Sequence, residues 1–138
     1  MNNEVMLFYR IENETRHGCY VGYYNQNGEW SFLNCDCSNR HPFPTDDSLL
    51  CKSLGNTNTY LVGDKRYGFM SVEQFRSWFY EDSDLTKLQE YGFHMAIYDV
   101  PAAKFFTGNS QCVIASEVHT EQYLVETKSL SEFISIPA

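Results

Sequence analysis

The 138-residue chain has the length of one domain, and its ten Phe, ten Tyr and two Trp supply enough ring surface to build a core. Its formal charge of −8, from 18 acids against 10 bases, repels a nucleic-acid backbone, and among the bases only Lys65 and Arg66 are adjacent. No run approaches the roughly 18 apolar residues of a membrane-spanning helix, and Met1-Asn2-Asn3-Glu4 lacks the basic start of a secretory signal. Five cysteines (Cys19, Cys35, Cys37, Cys51, Cys112) are an odd number, which points to free thiols in a cytoplasm.

In chain order, the apolar run Val5-Met6-Leu7-Phe8-Tyr9-Arg10-Ile11 predicts a buried first strand. Cys19-Tyr20-Val21-Gly22-Tyr23-Tyr24 and Trp30-Ser31-Phe32-Leu33 read as strands on either side of an Asn25-Gln26-Asn27-Gly28 turn. Periodicity is lost over 34–58, where Asn, Asp, Ser and Gly dominate and Pro42 and Pro44 disfavour regular structure. A loop that long tends to be functional. Thr59-Tyr60-Leu61-Val62 is a further short strand.

The second half is more regular. Ser71-Val72-Glu73-Gln74 matches a capping box, and Val72, Phe75, Trp78 and Phe79 recur at helical spacing, which predicts an amphipathic helix over 72–81. Ser83-Asp84-Leu85 opens a second helix that Gly92 can close in the left-handed conformation. A strand over 93–100 stops at Pro101, two more cover 112–115 and 122–127, and a final helical turn falls in 129–135. With no repeat and no linker, these elements predict a single α+β domain over 1–138, with a mixed or antiparallel twisted sheet and two or three short helices.

Several constellations bear chemistry. Cys35, Cys37, His41 and Cys51 are all zinc-ligand types within one segment, but C-x-C is not the paired knuckle spacing, and loop thiols beside a histidine explain them as well. The chain's cysteines and its four histidines (His17, His41, His94, His119) allow a thiol–imidazole pair, yet no family signature surrounds one. Cys112 and His94 read as strand residues. Phosphate-cradling glycine loops and the G-x-S-x-G elbow are absent. Tyr20, Tyr23, Tyr24, Trp30, Phe43 and Tyr60 are either half-buried sheet rings or an aromatic binding surface.

Four blocks carry a resemblance: Phe8-Tyr9-Arg10-Ile11-Glu12, Arg40-His41-Pro42-Phe43-Pro44-Thr45-Asp46-Asp47, Tyr67-Gly68-Phe69-Met70-Ser71-Val72-Glu73-Gln74-Phe75 with Trp78-Phe79, and Gln111-Cys112-Val113-Ile114. In order and spacing the chain resembles small proteins of bacteriophages and prophages. The layout is also similar to the ADP-ribosyltransferase fold, whose Arg on the first strand holds NAD. That similarity implies Arg10 on the dinucleotide, Ser71 at the nicotinamide ribose, and Gln111 or Glu117 aligning the acceptor. It also implies His41, Tyr67, Phe69 and Tyr9 as ligand-binding neighbours. Gln111 stands where the family carries Glu, and an amide cannot stabilise a developing cation as a carboxylate does. The simpler roles are a bridge from Arg10 to Glu12 or Asp99, a helix cap for Ser71, and a loop end for Gln111.

Two functions follow as expectations. One is a phage accessory enzyme using NAD on a host protein in the bacterial cytoplasm. The other is a non-catalytic acidic inhibitor, in the manner of anti-CRISPR proteins, occupying the basic site of a defence protein.

Overall fold

The computed structural model describes residues 4–16, 47–53 and 65–134. The strand and turn expectations within 19–33 and at 59–62, with their tyrosines and tryptophan, lie outside the described residues, as does Phe43.

The architecture is α+β, as composition and patterning predict. One three-stranded antiparallel sheet has the order β1 (Val5–Glu12), β3 (His94–Pro101), β6 (Leu124–Lys128). A second has the order β2 (Lys65–Gly68), β5 (Cys112–Ala115), β4 (Phe105–Phe106). Three short helices accompany them: α1 (Ser48–Ser53), α2 (Val72–Trp78) and α3 (Asp82–Glu90).

Strand alternation sorts the first sheet into two faces. Arg10 lies opposite Ala96, and Phe8 opposite Tyr98, so Phe8, Arg10, Glu12, Ala96, Tyr98 and Val100 share one face. Its apolar members pack with Phe105, Cys112, Ile114 and Val118 of the second sheet and its following turn. The other face carries Ile11, Met95 and Ile97 against Phe75, Trp78, Phe79, Leu85 and Leu88 of the helical segment, with Leu130 and Phe133. The first sheet is therefore the middle of three layers.

Phe69 sits at the hub of the helical layer, its ring tilted or edge-on to Phe75, Trp78 and Phe79. Its backbone also joins the two sheets, since Tyr9 and Phe69 exchange N–H···O bonds of 2.8 and 2.7 Å. Gly68 permits that approach: a Cβ there would lie 2.5 Å from both the Phe8 ring and the Tyr9 carbonyl oxygen.

Helix ends follow local chemistry. Ser71 Oγ accepts from Gln74 N at 3.0 Å, while Gln74 Oε1 accepts from Met70 N at 2.9 Å, one residue outside the cap itself. The helix stops at Trp78 rather than at 81. Arg76 enforces this stop by donating to Phe79 O and to Asp82 Oδ1, each at 2.7 Å, which turns the chain into α3. Gly92 (φ 92°) closes α3. Its N–H bonds Gln89 O and the Phe93 N–H bonds Leu88 O, both at 3.0 Å, as in a Schellman cap.

Two expectations are corrected. The segment 34–58 is not structureless throughout, because α1 occupies Ser48–Ser53, nucleated by Asp47 at its N-cap accepting from Leu50 N at 3.1 Å. The second half also contains β2 and β4, which periodicity did not reveal.

Candidate functional site

Two polar constellations stand out. The first is buried between the sheets. Arg10 and Glu12 follow each other on one face of β1, and both are nearly solvent-free, at 7% and 2% exposure. Glu12 Oε1 lies 3.2 Å from Arg10 Nε and 2.7 Å from His119 Nε2, and Oε2 accepts from the Tyr98 hydroxyl. Arg10 Nη1 donates to the Tyr67 carbonyl at 2.7 Å, tying β1 to β2. Burial alone would raise the Glu12 carboxyl. Hydrogen bonds from His119 and Tyr98, with the charges of His119 and Arg10, overcome that and hold it below its ordinary 4.5. Burial and the Glu12 carboxylate push the Tyr98 hydroxyl far upward, so it remains a donor.

The second lies on the surface, where the start of α2 faces the 108–110 loop. This open groove of about 510 Å³ is lined by Ser71, Gln74, Trp78, Tyr80, Asn109 and Ser110, among others. Gln74 Nε2 bridges to the carbonyls of Gly108 and Asn109 at 3.0 and 3.2 Å. Behind the loop Asp47, 3% exposed, accepts from Asn109 N and Ser110 N at 2.9 Å each as well as from α1. Burial would raise the Asp47 carboxyl, but backbone N–H groups of Asn109, Ser110, Leu50 and Gln111 hold it below 3.8.

The structure pairs Arg10 with Tyr67, and Tyr9 with Phe69. It places Ser71 beside the 108–110 loop that leads into Gln111, in the surface groove, and Arg10 in the buried cluster with Glu12. Gln111 is buried at 5% exposure, and its amide nitrogen has no hydrogen-bond partner among the described residues. Glu117 is on the surface, paired with Lys104 at 2.8 Å. His41, Cys35 and Cys37 lie outside the described residues, and Cys51 is placed only by its position in α1. Among the described residues no His, Cys, Asp and Glu group could hold a metal.

Sequence reasoning did not single out Asp47, Tyr98 or His119. Asp47 could have been found as an N-cap residue before Ser48-Leu49-Leu50, whereas His119 reaches Glu12 across 107 positions and leaves no local signal.

Arg10 is engaged within the fold, by Glu12 and the Tyr67 carbonyl. To reach a phosphate it would have to leave both, so that Glu12 kept only His119 and Tyr98. No helix of the described residues is long and apolar enough to cross a membrane.

No curated protein and no solved structure matches the chain. A family model described as "Bacteriophage T4 Y00F protein" matches residues 6–128. That span runs from β1, with the Arg10–Glu12 pair, through Asp47 and both sheets to the end of β6, so the chain belongs to the Bacteriophage T4 Y00F protein family.

Proposed function

We propose that the chain is a phage accessory protein that works by binding, its acidic surface occupying a basic site on a bacterial host or defence protein in the host cytoplasm. The observation that carries this reading is the distribution of charge. Glu14, Glu73, Glu90, Asp99, Glu126 and Glu132 are among many exposed acids, whereas of the described Lys and Arg, Lys52 and Lys87 are exposed and Arg16, Lys65, Arg66, Lys104 and Lys128 half-exposed. Arg10 and Arg76 are inside the fold, but so are Glu12, Asp47 and Asp84, so the surface keeps the acidic excess that the composition gives. Such a field steers association with a basic partner and repels nucleic acid.

The transferase alternative would need NAD held by Arg10, which is engaged internally, and Gln111 to act where a carboxylate is required. One thermal-melting series separates the two readings. NAD or ADP-ribose at 100 times its Kd would stabilise the fold by about 2.7 kcal/mol. The binding reading expects no saturable shift with either, and no added ADP-ribose mass on proteins co-purified with the chain from its host. A saturable stabilisation together with that mass would establish the enzyme instead.

A further inference from the structure

Asp99 and Leu7 stand opposite each other on the first sheet, on the face that α2 and α3 cover only at its other end. Down this face burial changes in steps. Ile11, Met95 and Ile97 are inside the helical layer, Tyr9 is half-buried, and Leu7 and Val5 emerge at 43% and 56% exposure. Asp99 is exposed in the same row, and Glu126 lies beside Ile97 through the β3–β6 register. Neither Asp99 nor Glu126 has an ion-pair partner among the described residues. Two aliphatic side chains exposed beside the Asp99 carboxylate, with Glu126 across β3 at the level of Ile97 and Lys128 two residues beyond it, are an unusual feature on a sheet face whose opposite half is tightly covered.

We infer that this end of the first sheet, which no helix of the described residues covers, is the docking face, and that its occupant is a basic protein segment carrying aliphatic side chains. The inference rests on the binding reading above and names its surface. Charge complementarity selects the occupant. A second copy seated here would bring Asp99 and Glu126 toward like charges in a chain of net charge −8, which disfavours self-association. Strand addition along the outer edge of β6, which no described strand pairs, is disfavoured by the register shift where Tyr98 pairs with Leu124 and Val125 becomes an extra residue. Docking therefore uses the face, with Leu7 and Val5 as anchors and the two acids as the steering charges.

The test titrates the full chain with a synthetic peptide of alternating Lys and Leu, following backbone amide shifts by NMR. The expected shifts centre on Leu7, Asp99 and Glu126. The double variant Asp99→Lys/Glu126→Lys, and separately Leu7→Asp, weaken binding about tenfold or more. Glu90→Lys/Glu132→Lys makes the same charge change at exposed sites outside this face and leaves binding nearly unchanged. All these residues are exposed, and unchanged melting temperatures confirm that each variant folds. Equal weakening by both double variants, or shifts confined to the Ser71 groove, overturn the docking face while leaving an acidic binder in place. Absence of any peptide binding overturns the face and the binding reading together. A dimer in sedimentation that Leu7→Asp dissolves would make a second copy the occupant and also overturn the proposal.

Discussion

Replacing Glu12 by Gln keeps the shape of the side chain and removes the charge on which three partners converge. The amide oxygen can still accept from Tyr98 or from His119, but the amide nitrogen turns a donor toward other donors, and the buried Arg10 guanidinium loses the Glu12 carboxylate. Arg10 and Glu12 are 7% and 2% exposed, so water cannot compensate. Breaking a buried pair on one side costs about 3–5 kcal/mol. For 138 residues and roughly 2.1 cal/mol/K per residue of unfolding entropy, this corresponds to a drop in Tm of about 10–17 °C. Circular dichroism during thermal and urea unfolding at neutral pH measures it. The sign with pH follows from linkage. The native Glu12 carboxyl is held below its ordinary 4.5, so the unfolded chain binds more protons as the solution acidifies. The contribution is complete above about pH 4.5 and disappears as pH falls through the native value, so the Gln variant should show a shallower acid slope than the parent. A loss below about 1 kcal/mol, with an unchanged slope, would refute the view that this network closes the layer between the sheets.

Asp47→Asn should cost about 1–3 kcal/mol, because an amide cannot serve all the backbone N–H groups that the carboxylate collects. Faster amide exchange at Asn109 and Ser110 is the specific readout. Gly68→Ala should destabilise by roughly 1–3 kcal/mol or more in urea unfolding, since the new methyl meets the Phe8 ring and Tyr9 carbonyl at 2.5 Å and neither can move cheaply. Ser71→Ala should cost about 1 kcal/mol through loss of the cap on α2, without altering binding of a basic partner. A Ser71→Ala protein that is fully stable yet fails to bind would place the Ser71 groove, not the acidic face, at the centre of function.

Much of the second half of the fold was legible from local signals. Ser71 with Gln74 announced a helix start, Gly92 a helix end, and the largely apolar run before Pro101 a β-strand. All three are governed by neighbours within a few residues. Arg10 beside Glu12 was legible too, because i and i+2 share a strand face. What escaped was set at long range or written in polar letters. β2 is Lys-Arg-Tyr-Gly and β4 only Phe105 and Phe106, and neither is long enough to show a period. α1 was hidden in loop-like composition although its Asp47 cap stood in plain view. The buried Glu12–His119–Tyr98 cluster joins residues 86 and 107 positions apart, which no window along the chain can register. For the candidate site, the sequence indicated Ser71 and Gln111 but not the carboxylate behind their loop.

The most direct test of the proposed binding is the salt dependence of affinity between this chain and any host protein that co-purifies with it. Calorimetry on the purified pair would compare about 0.01 M with about 1 M salt, between which the Debye length contracts from about 30 to about 3 Å. An acidic surface seated on a basic site predicts that affinity falls by at least an order of magnitude across that range, through a slower association rate above all. Affinity that is indifferent to salt would contradict it.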